Sequence, residues 1–324
     1  MSGLWKHARP YLVVALLGAP LIWPLLRQAV PCTHDGQLYY YQTAALQHGF
    51  ANSLIYSRWL PDAALGYGIP LFNYREPLPR YLLAGLAETG LPVPLALNLT
   101  MALCLLVTGL GSYRLARDVF QDEVAGLLSG AAAMAAPYLL LDIYRRGALP
   151  ECAALALTPW VWWAFWRIGQ GHHKRAPILA AVLWAALILT HNISALLMAP
   201  ALLGYAALLA YLAADRPREL LSPRRWLRPL TGFLGGVGLA AFYWIPAFFE
   251  KDLIQIGAAV STRNNSYRFN FVGLGDLLAA PAAHNTALLN PPLRITLGLP
   301  LALLAAVGLV GGWLVYRDRS RRVH

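Results

Sequence analysis

Long apolar stretches of this chain that contain no Asp, Glu, Lys or Arg include residues 10–26, 89–113, 124–141, 152–166, 176–214, 229–249 and 295–316. A helix needs roughly 20 mostly apolar residues to cross the hydrocarbon core of a bilayer. The 176–214 run holds 39 residues. As one helix it would reach about 58 Å at 1.5 Å per residue, nearly twice the core. It reads as two helices that turn at Thr190-His191-Asn192. The pattern therefore predicts an all-α, polytopic transmembrane bundle of about eight spans, forming a single membrane domain over residues 1–324. The first apolar segment carries Pro20 and Pro24 and no small-residue cleavage site before Cys32, so it is expected to stay as the first span.

Two regions break the apolar rhythm. The first follows span 1 and runs over residues 31–89. Within it, residues 38–46 and 80–91 mix apolar and polar positions at helical spacing, as helices lying in the membrane interface do. The second, residues 250–292, is polar and rich in Asn. Span 7 contains Gly232, Gly235, Gly236 and Gly238, a spacing that lets helices approach closely. Four tryptophans, Trp160, Trp162, Trp163 and Trp166, crowd one end of span 4 and read as an interfacial belt.

Of the 324 residues, 58% are hydrophobic and only 13% are charged, with a net charge of +11. Nearly all of that charge falls on segments that share one side if the amino terminus is cytoplasmic, among them Arg224-Arg225 and Arg317 to Arg322. This is the positive-inside asymmetry. The basicity reports topology rather than nucleic-acid binding, and both termini come out cytoplasmic. Cys32 and Cys152 both fall toward the outer side, either as a disulfide or as unpaired thiols. No phosphate-cradling glycine loop followed by lysine, HExxH helix or CxxC pair occurs, which excludes ATP hydrolysis and zinc proteolysis of the familiar kinds.

The candidate chemistry sits in outer segments. His34-Asp35 follows span 1, and an acid beside a histidine could act as a general base or hold a divalent cation. Asp35-Gly36 is equally an ordinary turn. Arg145 and Arg146, with Glu151 close behind, go against the positive-inside bias. They could hold a lipid phosphate or pair with Glu151 and Asp142. His191 and Asn192 either point into the bundle or face water. Arg58, Tyr74 and Arg263 could contact sugar or phosphate, and the loop aromatics could stack on sugar rings or anchor the interface.

Taken together, His34-Asp35, Arg58-Trp59-Leu60-Pro61-Asp62, Gly66 to Tyr74, Arg146 to Glu151 and Thr190-His191-Asn192 resemble bacterial multi-spanning proteins called "6-pyruvoyl-tetrahydropterin synthase-related". That group is similar in layout to the GT-C glycosyltransferases, which use polyprenyl-phosphate-linked sugars and carry an acid in the first outer loop. The resemblance implies a bacterial inner membrane protein that transfers such a sugar to an envelope or lipid-linked acceptor on the outer face. It implies Asp35 as the catalytic acid position and Glu151 as a second acidic residue. His34, Arg58, Tyr74, Arg145, Arg146, His191, Asn192 and Arg263 become the substrate-binding set. The chain would be a compact member, or one whose acceptor site a partner subunit supplies. A flippase for lipid-linked saccharides and a non-catalytic scaffold are the alternatives.

Overall fold

A computed structural model describes residues 2–27, 32–171, 173–212, 222–255, 257, 266–282 and 293–322. The described residues are helical throughout, apart from loops and one antiparallel bridge between Leu60 and Ile69. The main helices are α1 (Ser2–Ile22), α2 (Gly36–Ala51), α3 (Pro77–Glu88), α4 (Val93–Phe120), α5 (Glu123–Met134) and α6 (Pro137–Leu141). They continue as α7 (Leu149–Gly169), α8 (Ala176–Thr190), α9 (Asn192–Leu212), α10 (Pro223–Leu239), α11 (Ala241–Phe249) and α12 (Leu299–Arg322). Among the described residues, four segments can cross a membrane by length and composition: Ala8–Leu26, Val93–Phe120, Glu123–Arg146 and Asn192–Leu212. A fifth arises if the bent pair Trp226–Leu239 and Ala241–Phe249 counts as one span.

The core follows from packing of small faces. One cluster joins α1, α4, α5 and the start of α7 through Val14, Leu97, Leu105, Tyr113, Met134, Leu149 and Cys152. A second joins α7, α8 and α9 through Val161, Phe165, Trp184, Leu187 and Leu202. A third, smaller cluster of Leu46, Leu60, Phe72 and Ala84 holds α2 and α3 together with the bridged loop.

The first polar region does contain two helices, each close to its expected place. In α2 the buried positions Tyr39, Gln42, Thr43 and Leu46 fall on one face, the i, i+3, i+4, i+7 stripe of an amphipathic helix. α3 begins at Pro77, three residues before the expected start, because proline's fixed φ suits the first helical position. Its buried face carries Arg80, Leu83, Ala84 and Ala87. The long apolar run turns as expected: α8 ends at Thr190, His191 is extended (φ −157°, ψ 101°), and α9 starts at Asn192.

Span 7 departs from expectation. Instead of one straight helix it breaks at Ala240, with α10 and α11 inclined at 65°. No proline marks the break itself. The Trp244 indole donates to the carbonyl of Val237 at 2.9 Å, occupying an acceptor that an unbroken helix would offer to the amide four residues on. Three of the four glycines before the break, Gly232, Gly235 and Gly236, do pack closely. A Cβ on Gly236 would lie 2.6 Å from Trp184 Cδ1 and 2.9 Å from the Ala181 carbonyl.

The tryptophan cluster is tied into the bundle rather than simply facing outward. Trp160 donates to the Val107 carbonyl at 3.0 Å and Trp163 to Asp118 at 2.9 Å. Asp118 also accepts from Arg114 at 2.8 Å, and the guanidiniums of Arg114 and Arg167 lie over the Trp163 ring. Cys32 is exposed and Cys152 buried, and both are free thiols.

The glycine packing gives a signed prediction. Gly236→Ala should lower the melting temperature of the detergent-solubilised protein, by the equivalent of about 1–3 kcal/mol for overpacking. Gly238→Ala, where a Cβ would meet nothing within 4 Å, should leave it unchanged or raise it through helix propensity, worth about 0.5–1 kcal/mol. Equal effects at the two positions would contradict the close α8–α10 contact.

Candidate functional site

The segment after span 1 is stitched to the turn between α6 and α7. The N–H of His34 donates to the Arg145 carbonyl at 3.0 Å, and that of Asp35 to the Arg146 carbonyl at 2.8 Å. Two glycines permit this approach. Gly147 sits at φ +67°, and a Cβ there would come within 2.4 Å of Thr33 Oγ1. Thr33 Oγ1 accepts the Gly36 N–H at 3.2 Å at the start of α2. The Asp35 side chain makes no capping bond. The carboxylate is thus left half-buried and without a hydrogen bond or ion pair to any described residue.

Asp35 instead lines a cavity of about 580 Å³ between α2 and the bridged loop. Its other walls include Leu38, Tyr39, Tyr41 and Gln42 of α2, Leu60, Asp62 and Ile69 of the loop, and Leu71, Arg75 and Arg80. Along α2, positions 35, 38, 39 and 42 form one helical face. Burial pushes the Tyr39 phenol well above its ordinary pKa, while Arg80 pulls it back and Asp35 pushes it further. Tyr39 therefore feels both charges.

Arg146 lies beside this cavity's acid through the backbone, but its guanidinium faces elsewhere. Its Nη1 donates to Asp142 Oδ1 at 2.6 Å and to Glu151 Oε2 at 2.8 Å. Tyr138 donates to the other Glu151 oxygen. Asp142 is fully buried, and a buried carboxylate needs such a partner. Of the two uses open to Arg146, pairing with Asp142 and Glu151 is the one the structure contains. Arg145 reaches the Ala282 carbonyl at 3.4 Å.

The remaining expected residues are spread more widely. His34 is exposed. Arg58 lies over the Tyr56 ring, 5.9 Å from its centroid, and does not line the Asp35 cavity. The Tyr74 hydroxyl donates to the Glu250 carbonyl at 2.6 Å. His191 shares a hydrogen bond at 2.7 Å with Ser194, in the first turn of α9. Asn192 belongs to a second polar cluster. Arg263 lies outside the described residues. Among the described residues, no group of three or more His, Cys, Asp or Glu side chains could hold a metal ion.

That second cluster was not singled out from the sequence. Glu76 and Arg80 are 2% and 5% exposed. Arg80 Nη1 donates to the Glu76 carbonyl at 2.6 Å and to its carboxylate at 3.3 Å, while Nε donates to Gln42 Oε1 at 2.7 Å. The other Glu76 oxygen accepts the Asn192 N–H at 3.4 Å, at the amino end of α9, where the helix dipole favours an anion. From Asn192 the network passes to the Tyr243 hydroxyl at 3.4 Å, which donates to the Tyr74 carbonyl at 3.1 Å. Asn73 donates to Glu250 at 2.8 Å. The visible signal was an i, i+4 acid–base pair in an otherwise apolar segment.

Fold and composition define a helical membrane protein. The chain belongs to the family described as "6-pyruvoyl-tetrahydropterin synthase related domain; membrane protein", whose model matches residues 72–271. No curated protein matches it.

The buried pair carries a stability prediction. Glu76→Ala strands a buried guanidinium, and should destabilise the protein by about 3–5 kcal/mol, measured as thermal unfolding in detergent. A loss under 1 kcal/mol would mean that Arg80 is solvated rather than buried.

Proposed function

We propose that the chain is a GT-C-type glycosyltransferase of the bacterial inner membrane. It transfers a sugar from a polyprenyl-phosphate donor to an envelope or lipid-linked acceptor on the outer face, with both termini cytoplasmic. The observation that carries this reading is the Asp35 carboxylate, free of capping duty and of ion pairs, on the wall of a cavity of about 580 Å³. That wall also offers Tyr39, Tyr41, Gln42 and Asp62, groups suited to stacking on and hydrogen bonding to a sugar.

In this mechanism Asp35 takes the proton of the acceptor hydroxyl as its oxygen attacks the anomeric carbon. The bond from that carbon to the phosphate oxygen breaks, and the electron pair leaves with the lipid phosphate. Glu151 acts at one remove. It grips Arg146, whose carbonyl receives the Asp35 N–H, and so fixes the start of α2. Asn192 acts on the cavity at one remove, its N–H donating to Glu76, which holds the cavity-lining Arg80, while His191 is bonded to Ser194 outside that network. No step is routed through a metal ion. An eight-span topology adds α7, α8 and α12 to the apolar crossings; at 1.5 Å per residue α7 reaches about 31 Å and α8 about 22 Å.

General-base catalysis is worth about 10²–10⁴-fold. Asp35→Asn in membranes supplied with a labelled polyprenyl-phosphate sugar should therefore lose at least about 10²-fold in transfer rate at unchanged expression. Wild-type transfer by that variant would overturn the assignment.

A further inference from the structure

The cavity holds two guanidinium groups to which the mechanism above gives no role, and we infer that they form its anion subsite: Arg80, with Arg75 at the mouth, binds the phosphate of a prenyl-phosphate ligand. The prenyl chain rests on the glycosyltransferase reading. The anion subsite rests on the side chains themselves.

Arg80 is 5% exposed yet lines the cavity. Its Nε is held by Gln42, and its Nη1 by the carbonyl and carboxylate of Glu76. A guanidinium carries five N–H donors in one rigid plane. With Nε and Nη1 fixed, the plane has a set aim, and Nη2 makes none of these bonds. A donor edge oriented in this way has lost its freedom before the ligand arrives, and the poorly solvated surroundings strengthen its pull on an anion.

Arg75 follows the short helical turn Leu71–Tyr74 and lines the same cavity. Its side chain is exposed and makes no hydrogen bond or ion pair with the described residues. Arg146 is less suited to the task, because two carboxylates, Asp142 and Glu151, already match its charge, whereas Arg80 faces one, Glu76. Asp35 does not exclude an anion at the Arg80 end. Asp35 opens α2 and Gln42, which carries Arg80, lies seven residues on, about 10 Å along the helix at 1.5 Å per residue. The proposed arrangement places the sugar ring between the carboxylate and the guanidinium, beside Tyr39. Leu38, Leu60, Ile69 and Leu71 supply an apolar wall for the first isoprene units.

Calorimetric titration of the purified full chain in detergent micelles tests this without requiring turnover. The probes are farnesyl phosphate, farnesol and inorganic phosphate. Farnesyl phosphate should bind at least tenfold more tightly than either of the others. Arg75→Ala, at an exposed and unpartnered side chain, should keep the wild-type melting temperature and weaken farnesyl phosphate about 10–100-fold, the range for a hydrogen bond to a charged group. Arg80→Lys should weaken it too, because an ammonium cannot reproduce the fork. Unchanged affinity in Arg75→Ala, or farnesol binding as tightly as its phosphate, would overturn the subsite. Inorganic phosphate binding as tightly as farnesyl phosphate would overturn the prenyl-phosphate assignment. Arg75-dependent binding without any sugar transfer by the wild type would uphold the subsite and sink the glycosyltransferase reading instead.

Discussion

A buried guanidinium must be matched by acceptors, and in this protein that constraint organises one whole end of the bundle. Arg80 faces inward on α3 because the buried stripe of that helix includes its position. Once there, it draws Glu76 from its own segment and Gln42 from α2. Glu76 then reaches the amino end of α9. The bent pair α10–α11 joins through Tyr243 and the loop through Tyr74 and Glu250. Segments far apart in sequence meet there because leaving any of these groups unpaired away from water is costly. The cavity wall is a by-product of that satisfaction.

A second constraint places Asp35. Two backbone hydrogen bonds pull the start of α2 onto the α6–α7 turn, and small residues on both sides let the chains touch. The capping task at the head of α2 passes to Thr33. What remains is a carboxylate with fixed backbone and uncommitted oxygens, which is the condition a general base must meet. By contrast Glu151, the other acid expected to act, is spent on Arg146 and Tyr138. The two carboxylates look alike in sequence and differ entirely in engagement.

Much of the helical layout was legible, because long uncharged runs and the turn at Thr190-His191-Asn192 depend on local composition alone. The helices of the first polar region were legible for the same reason, to within a few residues. The break at Ala240 was not, because it follows from where Trp244 and Tyr243 find acceptors, a tertiary matter. The site was legible in part. Asp35 and the Arg146 segment do meet, yet the partners of Arg146 lie at i−4 and i+5 on its own segment and had to be weighed against a ligand. Glu76 and Arg80 escaped notice because their significance appears only once α3 is seen to bury its charged side. Tyr74, Arg58 and His191 were credible by type but are occupied elsewhere.

The central claim is that the Asp35 cavity opens to the outer face and receives a lipid-carried sugar. Its most direct measurement is thiol labelling of intact cells that express Ala63→Cys, a position on the cavity wall, in a Cys32→Ser background. A membrane-impermeant maleimide added outside should label that thiol, and a polyprenyl-phosphate sugar should protect it. Labelling that requires access from the cytoplasm, or that the lipid-linked sugar does not slow, would contradict the account.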